Sequence, residues 1–189
     1  MTRKIGILGG TFDPVHNAHL AMARAALDQL KLDQVVFMPT GSPHYRKPAV
    51  ASGLHRSQML ELALQGERRY TIDSTELEHT ASGYTVDTLH RLKKGGPRDE
   101  LFLLLGSDQY SKFESWREPD EVARLARLAV FARPGFRIEK NRFDATVVSM
   151  PPLDISASEI RRRVARDQTI ANLVPEVVRK YIMEHRLYH

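Results

Sequence analysis

Short apolar runs alternate with amphipathic helical stretches along this chain, and that alternation narrows the possible architectures more than any other feature. Residues 4–8 read as a strand, 17–30 as a helix with Leu20, Ala23, Leu27 and Leu30 on one face, and 35–38 as a second strand. These lengths suit a βαβ unit, whose crossover makes the two strands parallel. The stretch 41–54 holds two prolines and two glycines and reads as a loop. Further on, the pattern predicts a helix over 56–64, extended chain over 70–77, and a helix over 85–94 that stops at Gly95-Gly96-Pro97. A strand over 101–105, a helix over 121–126, strands over 128–131 and 146–150, and helices over 157–166 and 176–185 follow. The unbroken apolar run at 101–105 suits a strand covered on both faces. The expected fold is α/β, a doubly wound, mainly parallel sheet with helices on both faces. With 189 residues and no repeat or linker, one domain over 1–189 is expected, its C-terminal helices (about 156–189) packing on it.

Composition removes several chemistries. The absence of cysteine excludes disulfides, thiolate-held metals and a thiol nucleophile. No apolar run is long enough to span a membrane, and Met1-Thr2-Arg3-Lys4 leads into too short an apolar stretch for a signal-peptide core. A cytoplasmic protein without membrane attachment is the expectation. The net charge of +5 favours polyanionic partners. The basic residues are scattered and no aromatic–basic stripe stands out, so phosphorylated small molecules are favoured over nucleic acid.

Ligands of such sheets bind beyond the carboxyl ends of the strands. Three segments gather there: Gly9-Gly10-Thr11-Phe12-Asp13-Pro14-Val15-His16-Asn17-Ala18-His19, Gly106-Ser107-Asp108, and Ile155-Ser156-Ala157-Ser158-Glu159-Ile160-Arg161. Gly9 and Gly10 lack a Cβ, so a phosphate or ribose can approach the backbone. The helix start near Asn17 offers N–H groups and a positive dipole end. His16 and His19, three apart, face one spot and can each donate to phosphate; taken alone, the pair also reads as two surface histidines on a glycine turn. With no third ligand in view, a metal site is the weaker reading. The glycine spacing matches neither a P-loop nor G-x-G-x-x-G. Ser156 and Glu159 have capping-box spacing, and Ser158 and Arg161 share a face suited to a triphosphate. Consecutive helical residues differ by about 100°, so Arg161, Arg162 and Arg163 cannot all face the site, and Arg161 is the candidate. Asp108 reads as an acceptor for ribose hydroxyls, as a carboxylate that helps hold a metal, or as a helix N-cap. Trp116, the only tryptophan, reads as core or as a ring that stacks on a ligand.

The pattern G-G-T-F-D-P-x-H-x-[GA]-H with I-S-x-S-x-I-R resembles the nucleotidyltransferase α/β-phosphodiesterase superfamily. Pro43-His44, Gly83-Tyr84-Thr85-Val86-Asp87-Thr88-Leu89, Leu105-Gly106-Ser107-Asp108, Trp116 and Arg133-Pro134-Gly135 make the chain more closely similar to bacterial nicotinate-nucleotide adenylyltransferases, nearly end to end. The resemblance implies a Rossmann-like fold. It implies transfer of AMP from ATP to nicotinate mononucleotide in NAD biosynthesis, with Mg²⁺ accompanying ATP and direct attack on the α-phosphate. It also implies that Gly9, Gly10, Thr11 and Phe12 line the ATP site by their backbone, and that His16 and His19 hold the phosphates, His19 nearest the transition-state charge. Ile155, Ser156, Ser158 and Arg161 would serve the triphosphate from the opposite helix, with His16, His19 and Arg161 the catalytic set, and Gly106 and Asp108 would meet the ribose. Thr85 and Trp116 would flank the pyridine ring and its carboxylate, with His44, Arg46 and Arg133 completing the nicotinate-nucleotide site. The chain departs from the common pattern at Ala18, where glycine is usual, at Ala157, where a hydroxyl residue is usual, and at Tyr45, where a basic residue is usual.

Overall fold

The computed structural model describes residues 2–41, 48–78, 80–132, 138 and 141–189. Branched and leucine-rich runs form six strands: β1 (Lys4–Gly10), β2 (Gln34–Pro39), β3 (Tyr70–Ile72), β4 (Glu100–Gly106), β5 (Arg127–Phe131) and β6 (Ala145–Val148). They make one sheet in the order β3-β2-β1-β4-β5-β6. Every neighbouring pair is parallel, so the described sheet is wholly rather than mainly parallel. Strand order reverses between β1 and β4, which opens a crevice at their carboxyl ends.

The helices are α1 (Asn17–Leu30), α2 (Gly53–Leu64), α3 (Thr85–Gly95), α4 (Ser107–Tyr110), α5 (Pro119–Leu125), α6 (Ala157–Val164) and α7 (Glu176–Glu184). The two-residue period of the strands divides the core. Leu8, Phe102 and Leu104 face a cluster shared with α1, α2, α6 and α7. Ile5, Ile7, Leu101, Leu103 and Leu105 face a second cluster shared with α3 and α5. Helices therefore cover both faces, and the C-terminal helices pack into the first cluster through Ile160, Val164, Val178 and Ile182.

At three places where the elements differ from the sequence pattern, a side-chain bond explains the change. The helix expected from 56 begins at Gly53, because the Ser52 hydroxyl accepts from the His55 N–H at 3.3 Å and caps it. The extended stretch expected over 70–77 ends at Ile72. There the Asp73 carboxylate accepts from the Thr75 N–H at 3.0 Å and starts a 3₁₀ turn over Thr75–Leu77. The strand expected to reach Met150 stops at Val148, since the Gln29 amide replaces a strand partner for Ser149 on both its N–H (3.0 Å) and its carbonyl (2.5 Å). The short helix α4 has no counterpart in the sequence reading. Gly41 follows β2 at a point where a Cβ would lie 2.4 Å from the Glu76 carbonyl oxygen, so only glycine lets this turn close on the sheet. No described helix is long and apolar enough to cross a membrane.

Candidate active site

A cavity of about 220 Å³ opens at the carboxyl ends of β1 and β4. Gly9, Gly10 and Thr11 line it from the end of β1, and Gly106 and Asp108 from the end of β4. His19 enters from α1, while Thr85 and Trp116 lie along its wall. These residues come from four separate parts of the chain. A Cβ on Gly9 would meet nothing within 4 Å, so the missing side chain keeps open the space against the backbone. At Gly10 a Cβ would press on the Phe12 ring at 3.2 Å.

Phe12 has a positive φ of 48°, and its ring is buried. It packs against Phe37 at 5.8 Å and meets His19 edge-on at 4.9 Å. Its side chain therefore props His19 and does not line the cavity. His16 and His19 stack with centroids 3.7 Å apart and 19° between planes. The His16 backbone N–H donates to His19 Nδ1 at 3.3 Å. An Nδ1 that accepts carries no proton, so this bond selects the His19 tautomer with its proton on Nε2. His16 is 1% exposed and lines a smaller cavity of about 20 Å³, together with Ile155. The helix start is less open than the sequence predicts. Asn17 N–H donates to the Leu173 carbonyl at 2.9 Å, which leaves one fewer N–H for an anion.

Ser156 is the N-cap of α6, its hydroxyl accepting from the Glu159 N–H at 3.3 Å. Arg161 alone of the three arginines turns to the loop after β1. It donates through Nη1 to the Asp13 carbonyl at 2.6 Å and through Nη2 to the Ser158 hydroxyl at 3.3 Å. Arg162 and Arg163 pair with Glu159 instead. Ser156, Ser158 and Arg161 do not line the larger cavity; Arg161 reaches the loop after β1 through the Asp13 carbonyl, with Ser158 bonded to its other nitrogen. Asp108 sits in the first turn of α4, whose N-cap is Gly106, so the capping alternative for Asp108 does not hold. Trp116 packs on Phe113 at 5.4 Å and also lines the cavity. His44, Tyr45, Arg46 and Arg133 lie outside the described residues.

Several contributors carried no assignment in the sequence. Asp13, 2% exposed, accepts from Val50 N–H at 2.7 Å, Ala51 N–H at 3.1 Å and the Tyr188 hydroxyl at 2.8 Å. Arg56, also 2% exposed, donates to the carbonyls of Thr11 (2.7 Å) and Thr40 (2.8 Å), tying the chain after β1 to the chain after β2. Burial lowers its guanidinium from the usual range, against the pull of Asp13. Glu76 lines the cavity and accepts from the Thr88 hydroxyl at 2.7 Å. Asp13 stands inside the histidine motif and was in view there; nothing in the pattern around Arg56 marked it. Among the described residues, no group of three or more His, Asp or Glu could hold a metal ion.

The cytidylyltransferase-like family model matches residues 7–163, the span from β1 through most of α6. A Bordetella petrii protein, named a probable nicotinate-nucleotide adenylyltransferase, is 42% identical over 98% of this chain and 99% of its own length. A Bacillus licheniformis protein of the same name is 37% identical over 98% of both. The chain belongs to the nicotinate-nucleotide adenylyltransferase family. The fold agrees: the Plasmodium falciparum nicotinic acid mononucleotide adenylyltransferase complexed with NaAD superimposes with a TM-score of 0.82 at 22% identity, covering 98% of this chain and 97% of that one. The structure of the same enzyme complexed with APC gives a TM-score of 0.82 at 21% identity.

Proposed function

We propose that this chain transfers AMP from ATP to nicotinate mononucleotide, forming nicotinate adenine dinucleotide and pyrophosphate. One observation carries the reading: in a member of this family, His19, the open backbone at Gly9 and the wall formed by Thr85 and Trp116 all border one cavity at the strand-order reversal. The nicotinate nucleotide's phosphate attacks the α-phosphorus of ATP, and pyrophosphate leaves. No protein nucleophile is needed, so catalysis consists of positioning and charge stabilisation.

His19 donates from Nε2 to the phosphate on which charge develops, and His16 fixes its ring by stacking and by the N–H bond to Nδ1. Gly9, Gly10 and Thr11 admit the nucleotide to the backbone, and Gly106 and Asp108 meet the ribose. Ile155, Ser156, Ser158 and Arg161 serve the triphosphate from α6; Ser156 still has its hydroxyl proton to donate while its oxygen caps the helix. Trp116 offers its ring to the pyridine, and N–H groups near Thr85 meet the carboxylate. Magnesium fits as an ion carried by ATP, because it binds mainly to phosphates, water and one or two carboxylates. Asp108 and Glu76 are the carboxylates among the residues that line the cavity and would be the ones to hold it. When bound, it would neutralise charge on the departing pyrophosphate. The activity resides in a single domain, residues 1–189, acting in the cytoplasm on small-molecule substrates.

The test is incubation with magnesium, ATP and nicotinate mononucleotide, with chromatography of the products. Stoichiometric dinucleotide and pyrophosphate are expected. Release of AMP or ADP without the dinucleotide would overturn the reading.

A further inference from the structure

The last residues of the chain return to the loop that carries the histidines. Leu187 N–H donates to the Ile182 carbonyl at 3.0 Å, and Leu187 and Tyr188 pack on the core cluster beneath the sheet. Tyr188 has a φ of 69°, a left-handed conformation that a bulky side chain adopts only under constraint. Its phenol ends 2.8 Å from Asp13 Oδ1. Burial, then the Asp13 charge and the bond to it, push this phenol above its usual range, so it remains a protonated donor.

A buried carboxylate must be satisfied, and the Asp13 carboxylate accepts three hydrogen bonds. Ala51 N–H and Tyr188 saturate Oδ1, and Val50 N–H bonds Oδ2. The Arg161 guanidinium is held 3.7 Å from Oδ2, beyond hydrogen-bond reach, with its short contact at the Asp13 carbonyl. Buried Arg56 adds positive charge nearby but spends its bonds on Thr11 and Thr40. The phenol therefore supplies what the carboxylate would otherwise take from Arg161. Without it, the cheapest repair is for Arg161 to close on Asp13 as a charge-assisted pair, withdrawing from phosphate.

We propose that Tyr188 is a positioning residue for adenylyl transfer, its hydroxyl holding Asp13 so that the loop over residues 11–16 keeps its shape and Arg161 stays available to the triphosphate of ATP. This rests on the function proposed above. The test uses the full chain carrying Tyr188→Phe, which retains the ring and removes one oxygen. Expected is a loss of about tenfold or more in kcat/KM for ATP, as small misplacements around a reacting centre produce. The KM for nicotinate mononucleotide should stay within twofold, and calorimetry should show weaker binding of magnesium–ATP.

Tyr181→Phe is the control. Its hydroxyl, 2.8 Å from His55 Nδ1 and also bonded to Gln58, fastens α7 to α2 without reaching Asp13. It should lower thermal stability and leave ATP kinetics within twofold. Combining Tyr188→Phe with Arg161→Ala should add little to Arg161→Ala alone, since coupled groups are not additive. Unchanged ATP kinetics and binding in Tyr188→Phe, equal losses in the two tyrosine variants, or full additivity with Arg161→Ala would each overturn the proposal. A wild-type chain that binds magnesium–ATP but makes no dinucleotide would overturn the proposed reaction instead, and the binding comparison would still judge Tyr188.

Discussion

Replacing His19 by alanine separates its chemical role from its packing role, because the structure sizes both. The packing loss comprises the stack on His16 at 3.7 Å and the edge contact with Phe12 at 4.9 Å. Aromatic pairs contribute roughly 0.5–1.5 kcal/mol each. The bond from His16 N–H to Nδ1 adds about 1 kcal/mol. Together these give about 2–4 kcal/mol of stability, or a fall of roughly 5–15 °C in the melting temperature of a chain this size. A fold of ordinary stability survives that at 20 °C. The chemical loss is larger in rate: one preorganised donor to developing charge is worth about 100- to 1,000-fold in kcat. Pyrophosphate release at 20 °C, with a melting curve on the same sample, reads both. His19→Ala should remain folded, lose at least a hundredfold in kcat, and shift the KM for nicotinate mononucleotide only modestly. A folded variant that retained more than half of wild-type kcat would remove His19 from the reaction.

Arg161→Ala should severely impair ATP use, whereas Arg162→Ala and Arg163→Ala, which lose only Glu159 as a partner, should stay near wild type; equal losses in steady-state assays would instead indicate a diffuse basic patch. Nicotinate mononucleotide should exceed the nicotinamide form at least tenfold in kcat/KM, because an amide turned to a donor-only site leaves one buried N–H unpaired at about 1–3 kcal/mol. Side-by-side kinetics decide this, and equal efficiencies would mean that the ring is held by stacking alone. Asp99, accepting from Arg3 at 2.6 Å, has its carboxyl held below the usual 3.8 by that bond. A carboxylate depressed in the folded state stabilises fully above its unfolded value and loses that contribution as pH falls through the folded one. Asp99→Asn should therefore lower the melting temperature at pH 7, and the gap to wild type should close as the pH falls below 3.8 and through the lower folded value.

Long periodic elements were legible because their pattern spans several turns or both faces of a sheet. Helix α1 runs over the residues its apolar stripe predicts, and β4 is buried along nearly its whole length. Short elements were not, because a single side-chain bond sets them. Asp73 ends β3 after three residues, and four residues make α4, too few for any periodicity to register. The strands' common direction, by contrast, follows from each being reached through a crossover long enough to return to the same edge.

The site was legible to the extent that its groups lie close together in sequence. Gly9 through His19 form one stretch, so the nearness of backbone, histidines and helix start could be argued from spacing. That Arg161 reaches this stretch required a periodicity argument, and the structure gives it as a bond across 148 residues. What supports the stretch carried no such signal. Asp13 reads as an ordinary turn aspartate until Val50, Ala51 and Tyr188 are seen to converge on it, the last from 175 residues away. Nothing local distinguishes a buried aspartate from an exposed one, since burial depends on which distant segments arrive. Arg56 illustrates the same point in a helix, where one arginine among polar neighbours looks solvated but bonds two carbonyls beneath the sheet edge. The glycines and histidines proposed to meet ATP thus sit in a compact motif, while Arg56 and Tyr188, which bond to it, are dispersed along the chain. A change at Tyr188 should therefore act on ATP use as a change within the motif would, though no spacing rule connects the two.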